Sequence, residues 1–105
     1  MLQVTTAVPS AEVARRIAEA AVTERFAACV QISGPITSVY RWQGAIEEAS
    51  EWYCVFKTST EAYPGLESQI RSLHPYQVPE IIATPIVAAT ESYAAWIASE
   101  LQPDR

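Results

Sequence analysis

The fold of this chain is decided by residues 28–59, which read ACVQISGPITSVYRWQGAIEEASEWYCVFKTS. Both halves are rich in β-branched and aromatic residues, and Gln43-Gly44 separates them. The stretch therefore predicts two long strands, 28–42 and 45–59, joined by a tight turn. Gly34-Pro35 lies inside the first strand and indicates a bulge or a bend there.

The length of this hairpin points beyond a single chain. Residues 29–42 would span ~45 Å when fully extended, at ~3.3 Å per residue. A compact domain of this size has a radius of gyration near ~13 Å and is only ~35 Å across. The hairpin should therefore bend at Gly34-Pro35 and overhang the domain. The overhanging part is rich in exposed aromatic residues (Tyr40, Trp42, Trp52 and Tyr53). Such a ribbon needs a cover, and we infer a closed homo-oligomer in which other copies provide it.

The sequence before the hairpin predicts one strand and one helix. Residues 2–8 combine Leu and Val with β-friendly Thr, and Pro9 ends the pattern. Ser10 is a good helix N-cap, and apolar residues recur with helical spacing from Ala11 to Phe26. This segment therefore predicts the first helix.

A second helix is predicted directly after the hairpin, over about 60–73. Its apolar residues recur at helical spacing, and Thr60 is the expected cap. His74-Pro75 ends it, because the residue before a proline avoids the helical conformation.

The last part of the chain predicts a fourth strand and a third helix. Residues 80–88 form an apolar run in which Pro85 indicates an edge strand or a strand end. Thr90 is the expected cap of a helix over 91–101. The order β-α-β-β-α-β with an extra C-terminal helix predicts a ferredoxin-like α+β sandwich, formed by residues 1–105 as one domain. Helices should cover one face of the four-stranded sheet.

Composition excludes several classes of function. The chain has 7 basic and 12 acidic residues, a net charge of −5, so it lacks the basic surface that nucleic-acid binding needs. Asp104 is the only aspartate, which excludes aspartic dyads and calcium loops. The three glycines are too far apart for a phosphate-binding loop.

The cellular compartment of the protein is predicted from the first residues of the chain and from its two cysteines. The first residues run into a strand pattern without a leader, and no apolar run approaches the ~20 residues of a membrane helix. We therefore expect a cytoplasmic protein with reduced thiols and no membrane contact. A single extracellular disulfide is the alternative. In the predicted hairpin, however, Cys54 faces the Ser33 region and Cys29 the Thr58 region, too far apart for a disulfide or a shared metal site.

His74 is the only histidine and the first candidate for chemistry. One interpretation is a helix-end histidine stabilised by the helix dipole; the other is a metal ligand or proton carrier. Lys57, the only lysine, either extends to solvent or pairs with a carboxylate, for which Glu80 is a candidate. The run of Glu47, Glu48 and Glu51 is typical of a solvated acidic face.

Distinctive motifs occur in order along nearly the whole chain. They are Ala14–Ala18 with Phe26–Val30, Ser38–Gly44 with Ile46-Glu47, Phe56–Ser59, Leu73–Ile82, and Ser92-Tyr93 with Trp96. Taken together, and above all through His-Pro-Tyr-x-x-Pro-Glu at 74–80, they resemble the CutA family of divalent-cation tolerance proteins.

The resemblance implies an assembly, a location and a role. It implies a ferredoxin-like subunit in a tight homotrimer similar to the PII signalling proteins, a cytosolic location, and a function in tolerance to copper and other divalent metals. Proposed copper ligands of the family match Cys29 and His74. Its inter-subunit cleft would be lined by Trp42, Glu47, Lys57, Tyr76, Glu80 and Trp96.

Three positions depart from the family pattern. Ala45 stands where the hairpin tip usually carries Lys. Thr6 and Leu73 stand where some members have a Cys and a second His. Two potential metal ligands are therefore missing, so we expect a copper(II) site to be weak or to be formed between subunits, or the site to take another divalent cation instead.

The leading functional hypothesis is a homotrimeric, metal-binding CutA-like protein that is not an enzyme. The alternative is a PII-like regulatory module that binds a small anionic metabolite in the inter-subunit clefts, with Lys57 and Arg41 supplying charge. A third hypothesis, an enzyme using Glu47, Lys57 or His74 as acid or base, lacks a nucleophile–base pair in the sequence.

Overall fold

A four-stranded antiparallel sheet forms the centre of the structure, a computed structural model that describes residues 1–101. Its strands are β1 (Leu2–Val8), β2 (Cys29–Trp42), β3 (Ala45–Thr58) and β4 (Ile82–Pro85), in the spatial order β2-β3-β1-β4. The helices are α1 (Ala11–Thr23), α2 (Tyr63–Leu73) and α3 (Glu91–Glu100). The ferredoxin-like β-α-β-β-α-β order with an added helix is confirmed. The single-domain prediction also includes 102–105, which lie outside the described residues.

The core lies between one face of the sheet and the first two helices. Val4 pairs with Phe56 across β1 and β3, and Thr6 pairs with Cys54, so all four side chains point to the same face. They are fully buried, and α1 and α2 cover them with a set of aliphatic side chains (Ala14, Ile17, Ala21, Leu66 and Ile70). α3 packs separately, through Ile97, against Ala28.

The long hairpin has the predicted turn and the predicted bend. Gln43 and Gly44 both have positive φ, of 50° and 81°, as a two-residue hairpin turn requires. The β2–β3 register shifts between Ser33 and Ile36, which places an irregularity at Gly34-Pro35. A side chain at Gly34 would lie within 2.7 Å of the Trp52 indole, so only glycine lets the backbone approach this ring.

Only the inner half of the hairpin belongs to the full sheet. β1 pairs with β3 from Trp52 to Thr58, whereas the outer residues of β3, 45–51, pair with β2 alone. The single chain therefore measures 45 × 26 × 22 Å along its three principal axes. Apolar side chains on the outer half face solvent, with Val39 64% and Ile46 70% exposed.

The first helix and the fourth strand are shorter than predicted. α1 ends at Thr23 rather than Phe26, because Arg25 has a left-handed φ of 62° that no helix accommodates. β4 covers 82–85 rather than 80–88, because Pro85 already lies opposite Leu2, the first residue of β1, and because His74 rather than a β4 amide binds the Ala7 carbonyl beyond Thr5. Pro85 ends this edge strand, as its position indicated.

The second helix begins later than predicted. Its cap position is Ala62, not Thr60, because the Ser59 hydroxyl accepts the Ala62 amide at 3.0 Å and holds residues 60–62 in a turn. Ser10 does cap α1, where its hydroxyl accepts the Val13 amide at 3.2 Å. α3 ends at Glu100 rather than 101, and Thr90 occupies its cap position without a side-chain hydrogen bond. No helix within the described residues has the length and hydropathy needed to cross a membrane.

Candidate functional site

An open groove lies between the outer half of the hairpin and the segment that follows α2. Its volume is about 760 Å³. The hairpin supplies Ile36–Tyr40, Trp42, Glu51 and Tyr53, the segment supplies Pro75–Val78 and Glu80, and β1 supplies Ala7. The bend at Gly34-Pro35 therefore shapes the groove, because it sets the direction of the outer hairpin relative to the rest of the sheet.

His74 fastens the groove-lining segment to the sheet. It ends α2, and its Nε2 lies 2.8 Å from the Ala7 carbonyl oxygen, beyond the last residue of β1 that β4 reaches. The Tyr76 amide donates to Nδ1 at 3.1 Å. The ring is therefore the Nε2–H tautomer, which donates to Ala7 and accepts from Tyr76, and both nitrogens are engaged.

The surroundings of His74 favour its neutral form. The residue is only 8% exposed, and burial lowers the pKa of the imidazole. The hydrogen bond to the Ala7 carbonyl and the nearby Glu51 carboxylate act in the opposite direction without overcoming burial. A proton on Nδ1 would also face the Tyr76 N–H, so protonation costs the second hydrogen bond.

Glu51 is a buried carboxylate, not part of a solvated acidic face. It is 7% exposed, and the Tyr76 hydroxyl donates to its Oε2 at 2.8 Å. Burial and this hydrogen bond both raise the pKa of Tyr76. The Tyr76 ring also lies 4.8 Å from the His74 ring, centroid to centroid. The prediction for Glu51 was wrong because it followed charge alone, whereas the folded segment after α2 covers this position.

Cys29 lies at the other end of the sheet from His74. Its Sγ is 3.7 Å from the Tyr93 hydroxyl of α3, and it pairs across the ladder with Lys57. Ala7, which binds His74, pairs instead with Tyr53, four positions away on β3, or ~13 Å at ~3.3 Å per residue. One chain therefore does not bring Cys29 and His74 into a shared site, and their ligand roles stay predictions.

The second cysteine has a structural position. Cys54 is fully buried, donates to the Ala14 carbonyl with its sulfur 3.6 Å away, and has a pKa raised to about 11 by burial. Both cysteines are free thiols. Cys54 pairs with Ile32 and Cys29 with Lys57, one residue from the predicted partners, because of the bulge.

The predicted cleft residues fall into two groups. Trp42, Tyr76 and Glu80 line the groove. Glu47 lies near the hairpin tip, opposite Tyr40, and does not line it. Lys57 and Trp96 lie elsewhere.

Lys57 and Trp96 have other neighbours than the predicted cleft would give them. The Lys57 ammonium donates to the Gln31 side chain at 2.8 Å, so its partner is Gln31 and not Glu80. Trp96 packs beside Tyr93 on α3, 5.8 Å away between centroids.

Sequence reasoning missed three contributors to the groove. Tyr40 and Tyr53 were singled out only as aromatic residues in need of a cover, and Glu51 only as a surface charge. Side chains alternate between the two faces of β3, so Glu51 and Tyr53 lie on the same face. The sequence pattern alone could therefore have predicted that these two residues lie together. Within residues 1–101, no three His, Cys, Asp or Glu side chains converge in a way that could hold a metal ion.

The fold and this arrangement define a ferredoxin-like α+β protein with an overhanging hairpin. The profile of the CutA1 divalent ion tolerance protein family matches residues 2–100. The chain belongs to this family. The divalent-cation tolerance protein CutA of Thermus thermophilus is 51% identical over 90 residues, which are 86% of this chain and 87% of that protein. The human Protein CutA is 44% identical over 89 residues, which are 85% of this chain, and the chain spans only 50% of its length.

Solved structures of the family have the same fold. A divalent cation tolerance protein from Thermus thermophilus superposes with a TM-score of 0.94 and 47% identity, over 97% of this chain and 100% of that one. A structure described as the periplasmic divalent cation tolerance protein CutA from Archaeoglobus fulgidus gives 0.93 and 33% identity, over 97% and 100% of the two chains.

We predict that His74 contributes to stability through its two hydrogen bonds. His74→Ala leaves the Ala7 carbonyl and the Tyr76 amide without partners, which should cost ~1–3 kcal/mol of unfolding free energy. His74→Gln can still donate to Ala7 and should recover part of this loss. Urea denaturation of the two variants and the wild type measures it. Equal stability of wild type and His74→Ala would contradict the structural role.

The lowered pKa of His74 predicts a specific dependence of stability on pH. The folded state binds the proton less readily than the unfolded state, so the stabilisation is complete above the unfolded pKa of about 6.5. It is lost as the pH falls through the lower folded pKa. Between about pH 7.5 and about pH 5, wild type should lose more stability than His74→Gln. Parallel pH profiles of the two proteins would exclude His74 as the responsible group.

Proposed function

We propose that the protein acts in divalent-cation tolerance as a homotrimer that binds copper(II) or another divalent cation. Membership of the CutA1 family is the observation that carries this proposal, since the match extends over residues 2–100. The Thermus relative is itself named for divalent-cation tolerance. We also propose that the protein works by binding rather than by catalysis and in the cytoplasm, although the Archaeoglobus relative is described as periplasmic.

The exposed hairpin supports the oligomeric part of the proposal. Val39, Tyr40, Trp42 and Ile46 are each between 40% and 70% exposed on the outer half of β2 and β3. A soluble protein rarely leaves such a run of large apolar side chains uncovered. Symmetric copies of the same chain would cover each hairpin with an identical surface.

Because one chain keeps Cys29 and His74 apart, a metal site that used both residues would have to be shared between copies. The half-buried Cys29 thiol is the better ligand candidate, because both His74 nitrogens already carry hydrogen bonds. A metal on His74 Nδ1 would have to displace the Tyr76 amide. Such a cost is consistent with weak binding.

A PII-like regulatory module is the second candidate, favoured by the groove. A volume of about 760 Å³ falls within the ~300–1,000 Å³ range of small-molecule sites. Of the two cations expected to bind an anionic metabolite, Lys57 binds Gln31 instead, and neither it nor Arg41 lines the groove.

We predict that copper binding depends on Cys29 and not on Cys54. Cu²⁺ is titrated under anaerobic conditions into wild type, Cys29→Ser and the matched control Cys54→Ser, followed by calorimetry, with light scattering for the mass. Ser can still donate to the Ala14 carbonyl, so the control should keep the core hydrogen bond. Cys29→Ser should weaken binding by about tenfold or more, since thiolate is a far better copper ligand than hydroxyl.

Two results would contradict the metal part of the proposal. One is the absence of saturable copper binding to the wild type. The other is an unchanged affinity in Cys29→Ser. A particle mass equal to one chain at micromolar concentration would contradict the homotrimer independently of metal.

A further inference from the structure

The groove has an acidic and aromatic lining. Among residues 1–101, the only carboxylates that line it are those of Glu51 and Glu80, and no Lys, Arg or His lines it. Its aromatic side chains come from both walls, with Tyr40, Trp42 and Tyr53 on the hairpin and Tyr76 on the segment after α2. A lining with two carboxylates and without a basic side chain repels an anionic ligand. This holds for the part of the site that one chain provides.

Glu51 is the strongest feature of this lining. Glu51 is 7% exposed, and within residues 1–101 its side chain has one hydrogen bond, from the Tyr76 hydroxyl to Oε2. A carboxylate can accept about four hydrogen bonds, and a buried carboxylate is costly without a charged partner. Within residues 1–101, no basic side chain forms an ion pair with it. Glu51 therefore presents a carboxylate without a basic partner among residues 1–101, on the wall of an open groove.

Three contacts hold Tyr76 in position. Its hydroxyl binds Glu51, its amide binds His74 Nδ1, and its ring contacts the His74 ring at 4.8 Å. The His74 ring is itself held on the Ala7 carbonyl. An aromatic ring and a carboxylate are thus held side by side before any ligand arrives, which lowers the ordering cost of binding.

We propose that this groove, at the place where copies of the chain meet in the proposed homotrimer, binds a small organic cation, through an ammonium or guanidinium group placed against Glu51 and the aromatic side chains. The carboxylates supply charge, and the faces of Trp42 and the tyrosines supply cation–π attraction. The proposal deepens the second candidate function, because it replaces the anionic metabolite with a cationic one. It does not depend on copper binding.

Agmatine, which carries a guanidinium and an ammonium group, is the probe. Its binding to wild type is measured by calorimetry and by the NMR shift of the Trp42 indole N–H. Trp42→Phe, which lacks an indole N–H at this position, assigns the signal. Glutarate serves as an anionic probe of similar length. Saturable agmatine binding that moves the Trp42 signal, without glutarate binding, is the expected result.

Two carboxylate variants with the same change of charge make the test specific. Glu51→Gln keeps an acceptor for the Tyr76 hydroxyl but removes the charge, and should weaken agmatine binding by about tenfold or more. Glu48→Gln, on the same hairpin but outside the groove lining, should change it by less than about twofold. If Glu51→Gln does not fold, Glu80→Gln takes its place under the same criterion.

Three results would overturn the proposal: no agmatine binding to wild type, equal weakening in Glu48→Gln and Glu51→Gln, and binding of glutarate at the Trp42 signal. The first result can also occur together with dissociation of the particle by Glu51→Gln. That combination would assign the groove to a basic side chain of another copy. The copper titration and the particle mass of the same wild-type sample report separately on the proposed function.

Discussion

The hairpin is longer than the sheet that supports it, and the rest of the structure depends on this mismatch. β1 reaches β3 only from Trp52 onward, and the helical layer covers only that inner half. The outer residues of β3, 45–51, pair with β2 alone, and of residues 1–101 the segment after α2 covers them only in part, at Glu51. The irregularity between Ser33 and Ile36 redirects this outer part, and the close contact of Gly34 with Trp52 explains why no side chain is tolerated at the bend.

β4 is shorter than β1, and His74 binds the part of β1 that β4 does not reach. Because β4 ends its pairing at Thr5, the Ala7 carbonyl lies past the ladder, and the imidazole hydrogen-bonds to it in place of a strand amide. The same ring orients Tyr76, and Tyr76 binds Glu51. One buried histidine therefore connects the end of α2, the sheet and the groove, and this structural role competes with metal ligation at the same nitrogens.

The sequence predicted the topology well because its signals were local. The Gln43-Gly44 turn, the Gly34-Pro35 bend and the Ser10 cap each depend on the conformational preferences of one or two residues, and the structure has all three. The site was predicted less well. The burial of Glu51 and the pairing of Lys57 with Gln31 depend on contacts between distant segments, which neither charge pattern nor alternation reveals.

The ends of the elements were predicted less accurately for a related physical reason. Apolar residues continue past Pro85, yet β4 ends there, opposite Leu2, the first residue of β1, so this end of the strand depended on its partner. Recognition of the motifs identified the family and marked Trp42, Tyr76 and Glu80, which the structure does bring together. Motif matching could not tell which cleft residues one chain contributes to a single groove, because Lys57 and Trp96 lie away from it.

The central claim is that other copies of the chain cover the outer half of the hairpin. Hydrogen–deuterium exchange of the backbone amides of residues 36–50, on intact wild type at micromolar concentration, tests it most directly. The account predicts that these amides are protected as strongly as those of the inner ladder, 52–58, and lose protection on dilution below the assembly threshold. Exchange that is orders of magnitude faster in 36–50 than in 52–58, at every concentration, would contradict it.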